Sequence, residues 1–271
     1  MATLQRGVAR VCALLLDPFA ALPPLLGLTL ISAVSGVLLL LGFRATSQPQ
    51  AIRAARQRVQ AHLLAIRLYR EDLVVAFRAQ RALLAGLVAY VGRMLPPFAA
   101  LLLPFALLFA HLDARYAARA LHPGEVVLVK ARLAQPGTDQ WQLEGSAGIA
   151  VDSAAVHVAA RHEIDWRVRA VAPGRQAITL VNGTQRVAKE VWVAVAPQGA
   201  GPVRAVAGIT ALFTAPTEAP IDAAAGVQSI AVAYPPLALS VCGWHVHWIV
   251  VFLAVSTIVA LLFRKRAGVA F

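Results

Sequence analysis

Three stretches of the chain lose their polar residues almost completely. Leu22 to Phe43 holds no charge over 22 residues, Ala82 to Leu112 holds only Arg93 over 31, and Trp244 to Phe263 is free of Asp, Glu, Lys and Arg over 20. A hydrocarbon core of ~30 Å takes about 20 helical residues to cross, so the first and third fit and the second is too long. As one helix it would reach ~46 Å at ~1.5 Å per residue. Pro96 and Pro97 suit the first turn of a helix, where their missing N–H groups cost nothing. The second span is therefore expected to begin near Met94 and to end near Leu112, with Arg93 at headgroup level, where it snorkels. The alternative keeps Arg93 facing a hydrated groove.

Between the first two stretches the period becomes helical. Ile52, Val59, Leu63, Ile66, Leu73, Phe77 and Leu84 recur at spacings of 7, 4, 3, 7, 4 and 7, one stripe of a helix, with arginine on the opposite face. Ser47 and Gln50 fit a capping box, with Pro49 in the first turn. No Gly or Pro marks where such an arm turns back; Tyr69 to Asp72 is the expected place. After the second stretch the period shortens to two. "EVVLVKARL", "AAVHVAA", "EIDWRVRAVA", "QAITLV" and "EVWVAVA" read as strands, and Ile164, Trp166, Val168 and Ala170 alternate with Asp165, Arg167 and Arg169. Asn182-Gly183 fits a tight hairpin. Six or seven short strands between 124 and 196 predict a small β-sandwich. The Ala-, Pro- and Gly-rich run from Pro197 to about Gln228 reads as linker, and "SIAVAYPPLAL" adds one strand before the third span.

The expected fold class is a membrane protein of three transmembrane α-helices with a cytoplasmic helical arm and an inserted extracytoplasmic β-sandwich-like domain. Its parts are an N-terminal interfacial segment (1–21), transmembrane helix 1 (22–43), the basic arm (44–83), an interfacial approach plus transmembrane helix 2 (84–112), the β-domain (122–200), a linker (201–243), transmembrane helix 3 (244–263) and a cytoplasmic tail (264–271). Composition agrees: the chain is 59% hydrophobic, too apolar for one ordinary soluble domain.

Charge sets the expected orientation. From Arg44 to Arg81 there are eight arginines against Glu71 and Asp72, and Arg264-Lys265-Arg266 follows the third stretch; Asp113 to Gly243 has 11 basic and 10 acidic residues. Short flanks rich in Lys and Arg stay in the cytoplasm, which puts the arm and C-terminus inside and the N-terminus and β-domain outside, in a multi-pass protein of the plasma (bacterial inner) membrane. Arg6 and Arg10 pull against that orientation. A cleaved signal peptide is disfavoured, because 22 apolar residues exceed an ordinary h-region and "GFRATSQ" is a poor cleavage site.

No P-loop, G-x-S-x-G, H-E-x-x-H or paired-Cys motif occurs. No enzymatic activity, cofactor or metal is expected. His157 and His162 read as surface histidines, His245 and His247 with Trp244 and Trp248 as an interfacial aromatic belt, and Cys12 and Cys242 are too sparse a pair to suggest a disulfide. The arm, with Arg53, Arg56, Arg58, Arg67, Arg70, Arg78 and Arg81, reads either as a basic surface on the spans or on anionic lipid, or as a coiled-coil arm that meets a ribosome, RNA or an emerging chain.

The order of parts resembles the YidC/Oxa-type membrane protein insertase superfamily with its archaeal and ER-membrane-complex-like relatives. The residues that carry the resemblance are "SGVLLLLGFR" at 35 to 44, the arm from Ser47 to Leu83, and "RMLPPFAALLLPFALLFA" at 93 to 110; it covers 22 to 112 and 244 to 266. It implies an insertase-like, coiled-coil-bearing protein that eases client transmembrane segments through a polar cytoplasm-facing groove, with the lipid bilayer, nascent membrane proteins or the ribosome, and membrane-complex subunits as partners. Groove candidates are Arg44, Arg93, Ser32 and Ser35. YidC carries an arginine inside its first core span, whereas this first span is uncharged until Arg44. Ser32 with Gly36 equally suits close helix packing. The alternatives are a membrane-anchored extracytoplasmic β-domain binding module and an accessory subunit of an envelope or transport complex.

Overall fold

The computed structural model describes residues 1–46, 57, 59–61, 64, 73–135, 141–194, 201–241 and 243–264. The chain divides into two compact units, Met1–Leu28 with Ala106–Val251, and Thr29–Phe105 with Phe252–Phe271.

The first unit is β-rich. Strands β1 (Val126–Leu133), β2 (Gln142–Gly145), β3 (Ile149–Val151), β4 (Val156–Val158), β5 (Glu163–Ala170), β6 (Gly174–Asn182), β7 (Gln185–Val193), β8 (Val203–Ala205) and β9 (Val227–Val232) form two antiparallel sheets. One runs β3-β5-β1-β9-β8 with β4 also on β5; the other runs β2-β6-β7. The alternation in β5 has its expected consequence: Ile164, Trp166, Val168 and Ala170 are buried, and Arg167 and Arg169 are exposed. These side chains share one core with Val127, Val129 and Ala131 of β1, Ile178 and Leu180 of β6, Val187 and Val191 of β7, and Val227, Ile230 and Val232 of β9. Two sheets facing across a single core match the alternating pattern.

Two expectations change here. The stretch 201–243, read as linker with one strand expected in "SIAVAYPPLAL", contributes that strand as β9 and β8 besides, and β9 lies between β1 and β8 with Val129 opposite Val232 and Ala131 opposite Ile230. Its Ala- and Pro-rich surroundings hide three core residues, and inward packing outweighs composition. The hairpin at 182 is present, but Asn182 pairs with Gln185, so Gly183 and Thr184 are the central residues. Gly183, at φ +56°, takes the first central position, as glycine does in a type II′ turn.

The first unit also contains helix α1 (Ala2–Leu16), a 3-10 turn Asp17–Ala21, and the end of a long helix. Gln5 is buried and its Nε2 donates to the Ala215 carbonyl at 3.1 Å. Arg115 pairs with Asp17 at 3.4 Å. On α1, Val11, Leu14 and Leu15 are exposed, the apolar side of the segment expected at the interface. Cys12 is a free thiol whose pKa burial raises; Cys242 lies outside the described residues.

Helices α2 (Pro24–Thr46), α3 (Leu73–Tyr116) and α4 (Trp248–Phe263) supply the second unit. Pro24–Thr46 and the Phe98–Tyr116 part of α3 are long and apolar enough to cross a membrane, and Trp248–Phe263 is a shorter apolar helix. At ~1.5 Å per residue α2 reaches ~35 Å and α4 ~24 Å. The third apolar stretch is shortened because Trp244–Val246 form strand β11, paired with β10 (Leu239–Val241). Helix α3 does not start at the proline pair: 44 residues are helical without a break, and Pro96, Pro97 and Pro104 lie inside it.

Candidate functional site

The packing of the second unit starts from a missing side chain. A Cβ on Gly36 of α2 would stand 2.6 Å from the Ser256 carbonyl oxygen and 3.1 Å from Ser256 Cα, so glycine lets the α2 and α4 backbones touch. Ser256 Oγ donates back to the Leu253 carbonyl at 3.2 Å, satisfying its polarity within α4. A Cβ on Gly42 would meet Leu101 Cδ2 at 2.7 Å, and Phe43 meets Phe98 edge-on with centroids 5.7 Å apart. Farther along α3, Phe105 lies 6.0 Å from Phe252. Helices α2 and α4 therefore run parallel, with α3 antiparallel to both.

Beside these contacts is a recess of about 360 Å³. Leu39, Leu40 and Phe43 line it from α2, Phe98, Leu101, Leu102 and Phe105 from α3, and Ala260 from α4. None of these side chains can donate or accept a hydrogen bond, hold a metal or move a proton. The recess suits hydrocarbon.

Ser32 and Ser35 are not among the residues that line it. Ser32 and Ser35 are buried on α2, one to two turns before the lining residues, on the part of the helix that holds Gly36 against α4. Arg44 is exposed, one residue beyond Phe43. Arg93 lies on α3, and its side chain falls outside the described residues, as do Arg53, Arg56, Arg58, Arg67 and Arg70 of the arm. Arg78 and Arg81 are on α3 and exposed.

Among the described residues the most buried charge is elsewhere, in the β-rich unit. Lys189 occupies the inward parity of β7 with Val187 and Val191, and its side chain is wholly buried. Its ammonium pairs with Glu218 and donates to the Gly201 carbonyl at 2.8 Å. Burial pulls the Lys189 pKa down and pushes that of Glu218 up, each partner's charge opposing the shift of the other. Arg204 Nε donates to the Ala219 carbonyl at 2.8 Å beside them. Tyr234, its pKa also raised by burial, accepts the Trp192 N–H at 3.2 Å. Sequence reasoning missed this pair, although the alternation in "QRVAKEVWV" does put Lys189 on the inward face. Arg119 grips Glu125 through two bonds of 2.8 and 3.0 Å, and this hydrogen bonding holds the Glu125 carboxyl below its ordinary value.

No group of three or more His, Cys, Asp or Glu placed to hold a metal occurs among the described residues. His157 is on β4, and His162 takes a left-handed conformation at φ +53°. His245 flanks the exposed Trp244, whereas Trp248 is buried against Phe109, centroids 4.7 Å apart.

These features define a class: a chain of apolar helices, two of them long enough to cross a bilayer, carrying a β-rich domain of antiparallel sheets. No family model matches the chain, and neither a curated protein nor a solved structure matches it.

Proposed function

We propose that this chain is an insertase-like membrane protein, not an enzyme, that eases client transmembrane segments from the cytoplasmic side into the bilayer. One observation carries the reading. Phe77, Leu84, Val88, Val91, Leu95, Phe98 and Leu102 are all exposed on α3, and their spacings of 7, 4, 3, 4, 3 and 4 place them on one stripe. The stripe is ~38 Å long at ~1.5 Å per residue. It begins 21 residues before the membrane-length part of α3 and runs into it without a break. An apolar client segment laid along it stays out of water while it moves toward hydrocarbon, and the recess at its far end receives the same kind of surface.

Polar parts of the client set the barrier, because each unpaired backbone group entering hydrocarbon costs several kcal/mol. Arg44 and Arg93 lower it by holding water at the inner surface and attracting acidic client residues, and the arm retains the client by an attraction that salt weakens. Ser32 and Ser35 serve helix packing in this reading. The expected arrangement is three spans, with the N-terminus and β-domain outside and the arm and C-terminus inside.

Purified protein in liposomes is expected to raise insertion of a one- or two-span client several-fold. Arg44→Ala with Arg93→Ala, or Val88→Asp with Val91→Asp, removes most of that gain. Unchanged insertion with the wild-type protein sinks the proposal. A second reading, a membrane-anchored extracytoplasmic β module or accessory subunit, is supported by the closed core of the β-rich unit, and it becomes the better one in that case.

A further inference from the structure

We infer that the recess among α2, α3 and α4 is a binding site for an anionic phospholipid, one acyl chain lying in the recess and the headgroup phosphate held by Arg44 and Arg264. The placement follows from a ladder of i, i+4 steps on two parallel helices. Gly36 of α2 touches Ser256 of α4. Four residues further, Leu40 and Ala260 both line the recess. Four residues further again stand Arg44, in the last turn of α2, and Arg264, the residue directly after α4, both exposed. A step of four residues advances ~6 Å along one face of a helix, which brings Arg44 and the C-terminal end of α4, where Arg264 follows, to the same end of the recess. Among the described residues neither arginine has an acidic partner.

The chemistry selects the occupant. With Leu40, Phe43, Phe98, Leu101, Phe105 and Ala260 as its walls, the recess offers nothing to a polar ligand. Its volume of about 360 Å³ is roughly a dozen times the ~30 Å³ a water takes in the liquid, space for part of an acyl chain. Two cations at one end of an apolar channel match a molecule with an anionic head and a hydrocarbon tail. Guanidinium also binds phosphate oxygens in pairs, and basic pockets at the cytoplasmic ends of membrane helices hold acidic headgroups. The site goes beyond the insertion reading: a chain that retains the lipid and inserts nothing refutes that reading and leaves this one standing.

The test uses the full-length chain, purified in detergent, offered equal amounts of phosphatidylglycerol and phosphatidylethanolamine, and read by native mass spectrometry. The wild-type protein is expected to keep one phosphatidylglycerol per chain in at least fivefold preference. Ala260→Phe fills the recess and lowers retention of both lipids at least fivefold, while Arg44→Gln with Arg264→Gln abolishes the preference and leaves the helical circular dichroism unchanged. Inorganic phosphate at 100-fold excess does not displace the lipid, because the acyl chain supplies most of the contact. The inference is overturned if no lipid is retained, if the double variant keeps its preference, if phosphate strips the lipid, or if a folded Ala260→Phe chain holds as much lipid as the wild type. Should Ala260→Phe not fold, the double variant, changed only at exposed positions, decides alone.

Discussion

Lys189 is a charge in a place that the rhythm of its strand reserves for an apolar side chain. Its partner Glu218 comes from the stretch whose composition reads as linker, so the position was legible in the sequence and the pairing was not. Removing one member of a buried pair leaves the other charge unpaired, which costs about 3–5 kcal/mol, whereas replacing both with uncharged groups of similar size is nearly neutral. Glu218→Ala is expected to lower the stability of the β-rich unit by that amount in urea denaturation, and Lys189→Met with Glu218→Gln to recover most of the loss. Equal losses in the single and double variants would mean the pair acts only through packing. Glu125 gives a pH-dependent counterpart. Because Arg119 lowers its folded pKa below the ordinary carboxyl value of about 4.3, its stabilisation is present above that value and fades as the pH falls through the lowered one. Glu125→Gln should therefore lose less melting temperature than the wild type when the pH drops from about 6 to about 3.

At the scale of elements, regular alternation was the reliable signal. It located β1, β4, β5 and β6 within a few residues, because inward and outward positions differ in solvation at every second residue. It missed β2, β3 and β8, each only three or four residues long; β4 is as short, and was found within the longer apolar run "AAVHVAA". It also fell short at β9: "SIAVAYPPLAL" predicted a strand after the linker, but not one in the interior of the larger sheet. That location changes what folds independently. Residues 122–200 lack Val227, Ile230 and Val232, which the core includes, and they also lack Glu218. A fragment of residues 117–241 is expected to unfold cooperatively with a β-type circular dichroism spectrum, whereas 122–200 alone should be unfolded or aggregated. A stable, cooperative 122–200 fragment would show that β8 and β9 are dispensable.

For the whole molecule, the hydrophobic runs and the arginine counts speak to different questions. The runs locate α2, α3 and α4, since length and apolarity are properties of the segment itself. What the runs cannot give is the packing of one helix on another, because Gly36 against Ser256 joins residues 220 positions apart and glycine leaves no periodic mark. Orientation rests on the arginines alone. Eight lie between Arg44 and Arg81, while the charges from Asp113 to Gly243 nearly cancel, and on this contrast the proposed orientation rests, with the arm in the cytoplasm and the β-rich domain outside. Single cysteines at Gln57 and at Thr184, in a background lacking Cys12 and Cys242, test this directly with a membrane-impermeant thiol reagent on intact cells. Thr184 is the better outer site, because it is exposed and its neighbour Gly183, at φ +56°, does not tolerate a side chain without strain. Rapid labelling at 184, and labelling at 57 only after the cells are opened, is the expected pattern. The reverse pattern would turn the arm outward and remove it from cytoplasmic clients. Labelling of both sites in intact cells would show that α2 and α3 do not hold the arm and the β-rich domain on opposite sides of the bilayer, and insertion from the cytoplasm would then lose its structural basis.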